Sequence, residues 1–441
     1  MDDSLQYSLL KRNEFYEIAA QTKFDFVMLD AGIKEIMFSI LAANQACKCA
    51  IFIPNDFQES LHQIVDSLDR NHSLLLAFRK QFPHLVLPDE YLHLKRNTTK
   101  WKHLFSGQVR SKDISKYESA LNVEAGDAVF IEKEFKISTH RLLLSLLKYA
   151  VEKGVVVLNH THFEKGGCQE AVLHDRAIKG DKSVPISFNS LLSFSEIKES
   201  ECRYEFHIYL QKKTLFLKRS LKFSVRGILV RMVRYQDYYL LICDLQNDKE
   251  SFLSEILQEV NRLVNWEGKF CSDDIISYDI VETRADHSLK NHLDELAKMA
   301  QKKLGISSSQ LLKWISTFSA KDANFEGKTE IQQLIEFGDY RFDEAKQTGI
   351  HPLPFKNMFY RFGSEIEVLT EKAYELRPKF GPGHDLWVYV QFWYLYENEM
   401  ICSPQDYLNR IQGGRPALDS DLIASEDLLV DFFEMIKKPS I

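Results

Sequence analysis

Apolar residues gather at Phe24, Phe26, Val27, Met28 and Leu29, recur at Ile33, Ile36, Met37, Ile40 and Leu41, and return in a short run from Ala50 to Ile53. The outer runs have strand character and the middle one has a helical period, so the stretch FDFVMLDAGIKEIMFSILAANQACKCAIFI predicts a βαβ unit of the nucleotide-binding shape. In a dinucleotide site the turn carries G-x-G-x-x-G, and those positions here are Asp30, Gly32 and Glu35. One glycine of the three is present.

The same reading extends along the chain. Residues 4–22 predict a helix leading into the first strand, and Ser60 to Leu68 and Leu74 to Phe82 predict two short helices. No glycine occurs between Gly32 and Gly107, although a dinucleotide fold needs several close approaches of backbone to ligand. Leu142, Leu143, Leu146, Leu147 and Ala150 mark a helix from Arg141 to Glu152, stopped by Gly154 and followed by a strand from Val155 to Asn159. From Tyr204 to Ile242 the pattern alternates, with strands expected at 204–210, 215–217, 223–225, 228–233 and 238–242. These predict an antiparallel sheet covering the nucleotide-type domain. Helices follow at 252–264 and 292–304, and after the turn-rich Ser319 to Lys328 every signal is helical. Leu386 to Met400 is apolar nearly all round, so it belongs in a core or an interface. Ser403-Pro404-Gln405-Asp406 has the residues of a capped helix start. The fold class expected is α/β: a Rossmann-like domain with an antiparallel sheet over residues 1–325, and an all-α domain over 326–441.

Composition narrows the function classes. The 441 residues carry a net charge of −7 with a pI near 6.1, and their basic residues are scattered, which argues against nucleic acid as a partner. Seven cysteines in no framework spacing fit reduced thiols in the cytoplasm. The N-terminal residues lack the pattern of a signal peptide, and no run reaches eighteen apolar residues. Peripheral contact with the inner face of a membrane stays open.

Several motifs together resemble the FAD-dependent, aerobic glycerol-3-phosphate dehydrogenases, whose flavin fold is of the D-amino-acid-oxidase type with a C-terminal helical domain. SLLKRNEFYEIAAQTKFDFVMLDAGI is similar to that family's lead-in helix and first strand, and Asn55-Asp56-Phe57 stands at its acidic-Phe pair. Pro83-His84-Leu85-Val86-Leu87-Pro88 resembles P-H-L-V-x-P. Arg141-Leu142 with Val157-Leu158-Asn159-x-Thr161 resembles its helix and V-L-N-x-T strand. Arg361-Phe362-Gly363-Ser364 resembles R-Y-G-S, and Tyr394, Glu399, Met400, Asp406, Leu408 and Arg410 match its last conspicuous run. The resemblance implies FAD as cofactor and oxidation of glycerol 3-phosphate to dihydroxyacetone phosphate.

The departures fall on the implied flavin motifs. G-G-G-I-x-G-x-G becomes Asp30-Ala31-Gly32-Ile33-Lys34-Glu35-Ile36-Met37, and the acidic residue expected to hold the adenosine ribose is Ile53. The family's later S-S-R-S-x-x-x-H-G-G-x-R-Y-L and G-G-K-x-T-x-x-R motifs have no counterpart. Asp30 and Glu35 would repel a diphosphate, while either carboxyl could serve the free N–H groups and dipole of the helix start; solvated surface positions are the alternative. The expectation is a degenerate cofactor site at Gly32, with FAD lost, no catalytic residue assigned, and a binding or regulatory role. Expected partners are an active paralogue or a second copy, through the helical domain. The rival is a working flavoenzyme with an atypical site, marked by a pocket of backbone N–H groups beside Gly32; a non-flavin ligand on the aromatic second sheet is a third reading.

Other candidates give way to packing or ion pairing. His160 and His162, with Cys168 and His174 nearby, suggest a metal set, but the resemblance places these histidines at non-ligand positions, so no metal is expected. Cys168 beside Gly166-Gly167 has no base placed by sequence. Trp387, Tyr389, Phe392, Trp393, Tyr394 and Tyr396 fit core or subunit packing better than a ligand box. Arg141 could meet a phosphate or an acidic side chain.

Overall fold

The computed structural model describes residues 12–29, 32–54, 73–95, 108–109, 118–121, 128–177, 182–192, 202–211, 217–235, 238–246, 248–264, 268–284, 289–318, 330–412 and 426–437. The opening unit folds as its pattern predicts. The helix Arg12–Gln21 leads into strand Lys23–Met28, helix Ile33–Ala43 and strand Cys49–Phe52, with Phe26 opposite Cys49 in a parallel pair. Strands Val156–Leu158 and Ser183–Leu192 extend this sheet in parallel on its two sides. The antiparallel strands Glu170–Asp175 and Thr161–Lys165 complete six.

Every residue from Ile33 to Ala42 is buried, because the helix is enclosed by the sheet and by helices Thr139–Glu152 and Leu289–Leu304. Its isoleucines and Phe38 join the sheet residues in one hydrophobic core, to which Leu296, Ala300, Leu311 and Ile315 also belong.

The second sheet has eight strands in the order Ile275–Arg284, Cys202–Gln211, Tyr238–Asp244, Ile228–Arg234, Ser220–Val225, Val86–Lys95, Ala128–Ile137 and Gln108–Val109. All neighbours are antiparallel except Ser220–Val225 beside Val86–Lys95. The helix Lys249–Leu263 covers this sheet with Phe252, Ile256, Leu257, Val260 and Leu263. Four of the five expected strands are present here. Leu217 is not in a strand, and the rest of that segment lies outside the described residues, as do Ser60 to Leu68, Asn55-Asp56-Phe57 and Ser319 to Lys328.

The C-terminal region is all α: Glu330–Ala345, Pro352–Phe362, Ile366–Phe380, His384–Asn398, Pro404–Gln412 and Glu426–Lys437. His384–Asn398 runs through its middle, which is why its sequence shows no polar face. Trp387, Phe392 and Tyr394 are buried; Tyr389 stacks on Phe380 at 4.6 Å, and Phe392 meets Phe433 edge-on at 4.8 Å. The aromatic run is core, and the fold class is the expected α/β with an all-α addition.

Within that core the buried indole N–H of Trp387 donates to Oγ1 of Thr348 at 2.8 Å, while the same hydroxyl donates to the Ala345 carbonyl at 2.6 Å. Thr348→Val keeps the shape and strands the indole N–H. The helical region should lose about 1–3 kcal/mol of unfolding free energy in urea titrations followed by tryptophan fluorescence.

Candidate functional site

Gly32 caps the helix Ile33–Ala43 with extended backbone (φ −72°, ψ 170°), and its carbonyl accepts the N–H of Ile36 at 3.1 Å. Any residue can adopt that conformation. The buried side chain of Glu35 folds back over the cap, and a Cβ at position 32 would displace its Oε2. A third-position acid turned toward the cap is the direction a capping box takes, and the helix dipole favours it there. Of the two alternatives for the carboxyls at the helix start, Glu35 is not a solvated surface residue but a buried one, and Asp30 lies outside the described residues. Between them on the same turn, Lys34 pairs with Glu295 of helix Leu289–Leu304 at 2.5 Å.

Ile53 is wholly buried in the first core. Its N–H donates to the Leu158 carbonyl and its own carbonyl accepts the N–H of Thr161, both at 2.9 Å. The hydroxyl of Thr161 also donates to that carbonyl at 3.2 Å. No side-chain acceptor for a ribose hydroxyl is offered at this position.

The other motifs that carry the resemblance converge elsewhere, on the seam between the α/β body and the helical domain. Arg141 makes two hydrogen bonds to the carboxylate of Glu399, at 2.7 and 2.8 Å, and a third to the Arg361 carbonyl at 3.1 Å. Its guanidinium also lies over the Phe362 ring. Of the two roles open to Arg141, the ion pair is the one formed. Burial alone would push the Glu399 carboxyl up, but Arg141, Lys148 and Arg410 outweigh it and bring it down to about 2. Lys148 binds Glu365 and the Tyr394 hydroxyl, each at 2.7 Å. Gly363 has φ +59°, and a Cβ there would lie 2.5 Å from the imidazole of His84, so the R-F-G-S and P-H-L-V-L-P motifs meet at a contact only glycine permits.

A second cluster closes the same seam. The buried Arg12 guanidinium binds both carboxylate oxygens of Asp175, the side chain and carbonyl of Asn159, and Sδ of Met400. Asn159 in turn donates to the Met400 carbonyl at 3.3 Å. Beside it, Nε2 of His160 stands 3.1 Å from both oxygens of Asp406, whose Oδ2 accepts the N–H groups of Cys402 and Ser403. Ser403 Oγ accepts the N–H of Asp406 at 3.2 Å, so the helix start anticipated from sequence is a reciprocal cap.

The histidines do not share one side as their spacing suggests. His160 precedes the strand, in a left-handed turn at φ 49°, and faces the helical domain. His162 and His174 are cross-strand partners with rings 5.8 Å apart, and Cys168 is exposed at the hairpin turn. The partner of His160 is 246 residues away, and sequence spacing carries no signal of it.

No protein-family model matches this sequence, and no curated protein matches it. Structure gives a comparison that sequence does not. The chain has the fold of the glycerol-3-phosphate dehydrogenase from Bacillus halodurans complexed with FAD, at a TM-score of 0.67 and 15% identity over 92% of this chain and 88% of that one. The L-α-glycerophosphate oxidase from Mycoplasma pneumoniae with FAD bound (TM-score 0.39, 9% identity, 60% of this chain, 85% of that) and a glycine oxidase from Bacillus cereus (0.39, 11%, 59%, 84%) match less. Among the described residues no helix is long and apolar enough to cross a membrane.

The Gly32–Glu35 contact is measurable as a coupling. Gly32→Ala would displace the carboxyl end of Glu35, so part of its cost, about 1 kcal/mol or less, should disappear in a Glu35→Ala background and appear as interaction energy in a double-mutant cycle by chemical denaturation. A second expectation concerns acid. His140 is buried among Arg410, Arg141, Glu399 and Arg361, and burial with those arginines drives its pKa well below 6.5. The folded state then binds fewer protons than the unfolded one, so stability is complete above 6.5 and declines as pH falls below it. His140→Leu should flatten the pH dependence of unfolding free energy on the acid side of that value.

Proposed function

We propose that this chain is a homologue of the FAD-dependent glycerol-3-phosphate dehydrogenases that has lost flavin binding and catalysis and acts as a cytoplasmic binding or regulatory subunit. The observation that carries the reading is the buried Glu35 carboxyl folded over Gly32, the one glycine left in the turn. In a flavin fold the first turn brings a pyrophosphate to the helix N-terminus, where free N–H groups and the dipole attract it. A carboxyl of the chain's own occupies that approach, and an anionic ligand would have to displace it from a buried position. Ile53 removes the ribose acceptor at the neighbouring strand end.

The retained seam supports the second half of the proposal. Arg141, Asn159, Arg361, Gly363, Glu399 and Asp406 hold the helical domain against the α/β body, so the architecture persists where the cofactor elements do not. The partner proposed is an active paralogue or a second copy, and the process served is glycerol metabolism. The long apolar helix His384–Asn398 is consumed by its own core, so a partner meets the outer faces of the helical domain.

The visible spectrum of freshly purified protein tests the loss of flavin. The expected result is a colourless protein that gains no flavin absorbance when incubated with FAD and desalted. A yellow protein that reduces an electron acceptor with glycerol 3-phosphate would return Glu35 to the role of a displaceable cap and overturn the proposal.

A further inference from the structure

We propose that His160, Cys402 and Asp406 form a zinc site that clamps the helical domain to the α/β body. The three residues offer an imidazole nitrogen, a thiol sulfur and a carboxylate oxygen, all within 4.8 Å of one another. That is a donor set suited to a tetrahedral divalent ion of intermediate softness, with a water as the fourth ligand. Two light atoms bound at about 2.0–2.1 Å to one tetrahedral zinc lie about 3.3 Å apart. Nε2 of His160 and the Asp406 oxygens are already 3.1 Å apart. The thiol of Cys402 lies within 4.8 Å of both and donates to the Met400 carbonyl at 3.4 Å, a contact it would give up to the ion.

The surroundings are arranged as outer partners of a metal would be. Oδ2 of Asp406 is fixed by the N–H groups of Cys402 and Ser403 at 2.7 and 3.1 Å, which orients Oδ1 toward His160 and leaves it free of the helix cap. Arg12, which binds Asn159 and Met400 beside the cluster, is paired with Asp175 at 2.9 Å. His160 keeps 24% of its side-chain surface, which gives an ion and its water a path, while Asp406 keeps 3%. The backbone is also committed to this geometry. His160 and Met400 both take left-handed conformations, φ 49° and 50°, which a residue with a Cβ adopts at a cost when the surroundings impose it. These two turns aim the ligands of one domain at those of the other.

The ion gives the chain a structural metal in a place the glycine turn does not touch, so this inference stands apart from the loss of flavin. The test uses the full chain stripped with a chelator and titrated with Zn²⁺ by calorimetry, then with Co²⁺ by absorbance. The expected result is one equivalent of either ion, and for cobalt a sulfur-to-metal charge-transfer band in the near ultraviolet. Cys402→Ser, which preserves size, should abolish that band and weaken zinc binding about 10-fold or more, and His160→Gln should weaken it similarly. Cys168→Ser, at the exposed hairpin turn, should leave both unchanged. A cobalt spectrum with no sulfur band, a band that survives Cys402→Ser, or zinc binding that His160→Gln does not weaken would overturn the proposal.

Discussion

The ion pair between Arg141 and Glu399 is the constraint on which the arrangement of this molecule depends. Two charges are taken almost wholly out of water, and the twin hydrogen bonds, the Arg361 carbonyl, the Phe362 ring, Lys148 and Arg410 compensate them. Such a pair adds little net stability, since well-packed apolar residues in the same place can do as well, yet loss of one partner leaves a charge buried at a cost of about 3–5 kcal/mol. Its effect is therefore on geometry. The helix Thr139–Glu152 and the segment after His384–Asn398 can meet in one register, and Gly363 against His84 and Arg12 against Met400 fix the same register at other points.

That distribution explains which parts of a flavin-type fold this chain retains. A cofactor loop is held by its ligand and relaxes to other sequences when the ligand no longer binds. A seam of buried charges has no such freedom, because each group is costly to leave alone. In this fold Glu35 lies over the glycine turn at the helix start, and Ile53 at the neighbouring strand end is core. The seam has kept polar groups in places where a core would prefer hydrocarbons.

Much of the fold was legible because its elements have one wet face or none. The leucines of Thr139–Glu152 and the stop at Gly154 mark a helix by period and cap, and Ser403 with Asp406 announce another. Val86–Lys95 and Ala128–Ile137 were not anticipated as strands, since Asp89, Glu90, Glu132, Lys133, Glu134 and Lys136 break the apolar alternation. Ser183–Leu192, the strand beside the first one, is masked by Pro185 and its serines. The positions of Gly32, Glu35 and Ile53 could be named from sequence, but not the turn of the Glu35 side chain, which depends on packing around the helix. The pairing of His160 with Asp406 joins residues of two domains through a left-handed turn, and no local pattern encodes either.

The inward fold of Glu35 also changes how this chain responds to its surroundings. A protein that leaves its helix start open for a soluble ligand gains stability as that ligand accumulates, through mass action, and becomes most vulnerable to proteolysis when supply falls. A carboxyl tethered three residues from the cap is held beside it by the chain itself and cannot be depleted. On the proposed loss of flavin binding, the fold of this chain would be uncoupled from flavin supply, and its abundance would hold steady under starvation that depletes flavin-dependent enzymes.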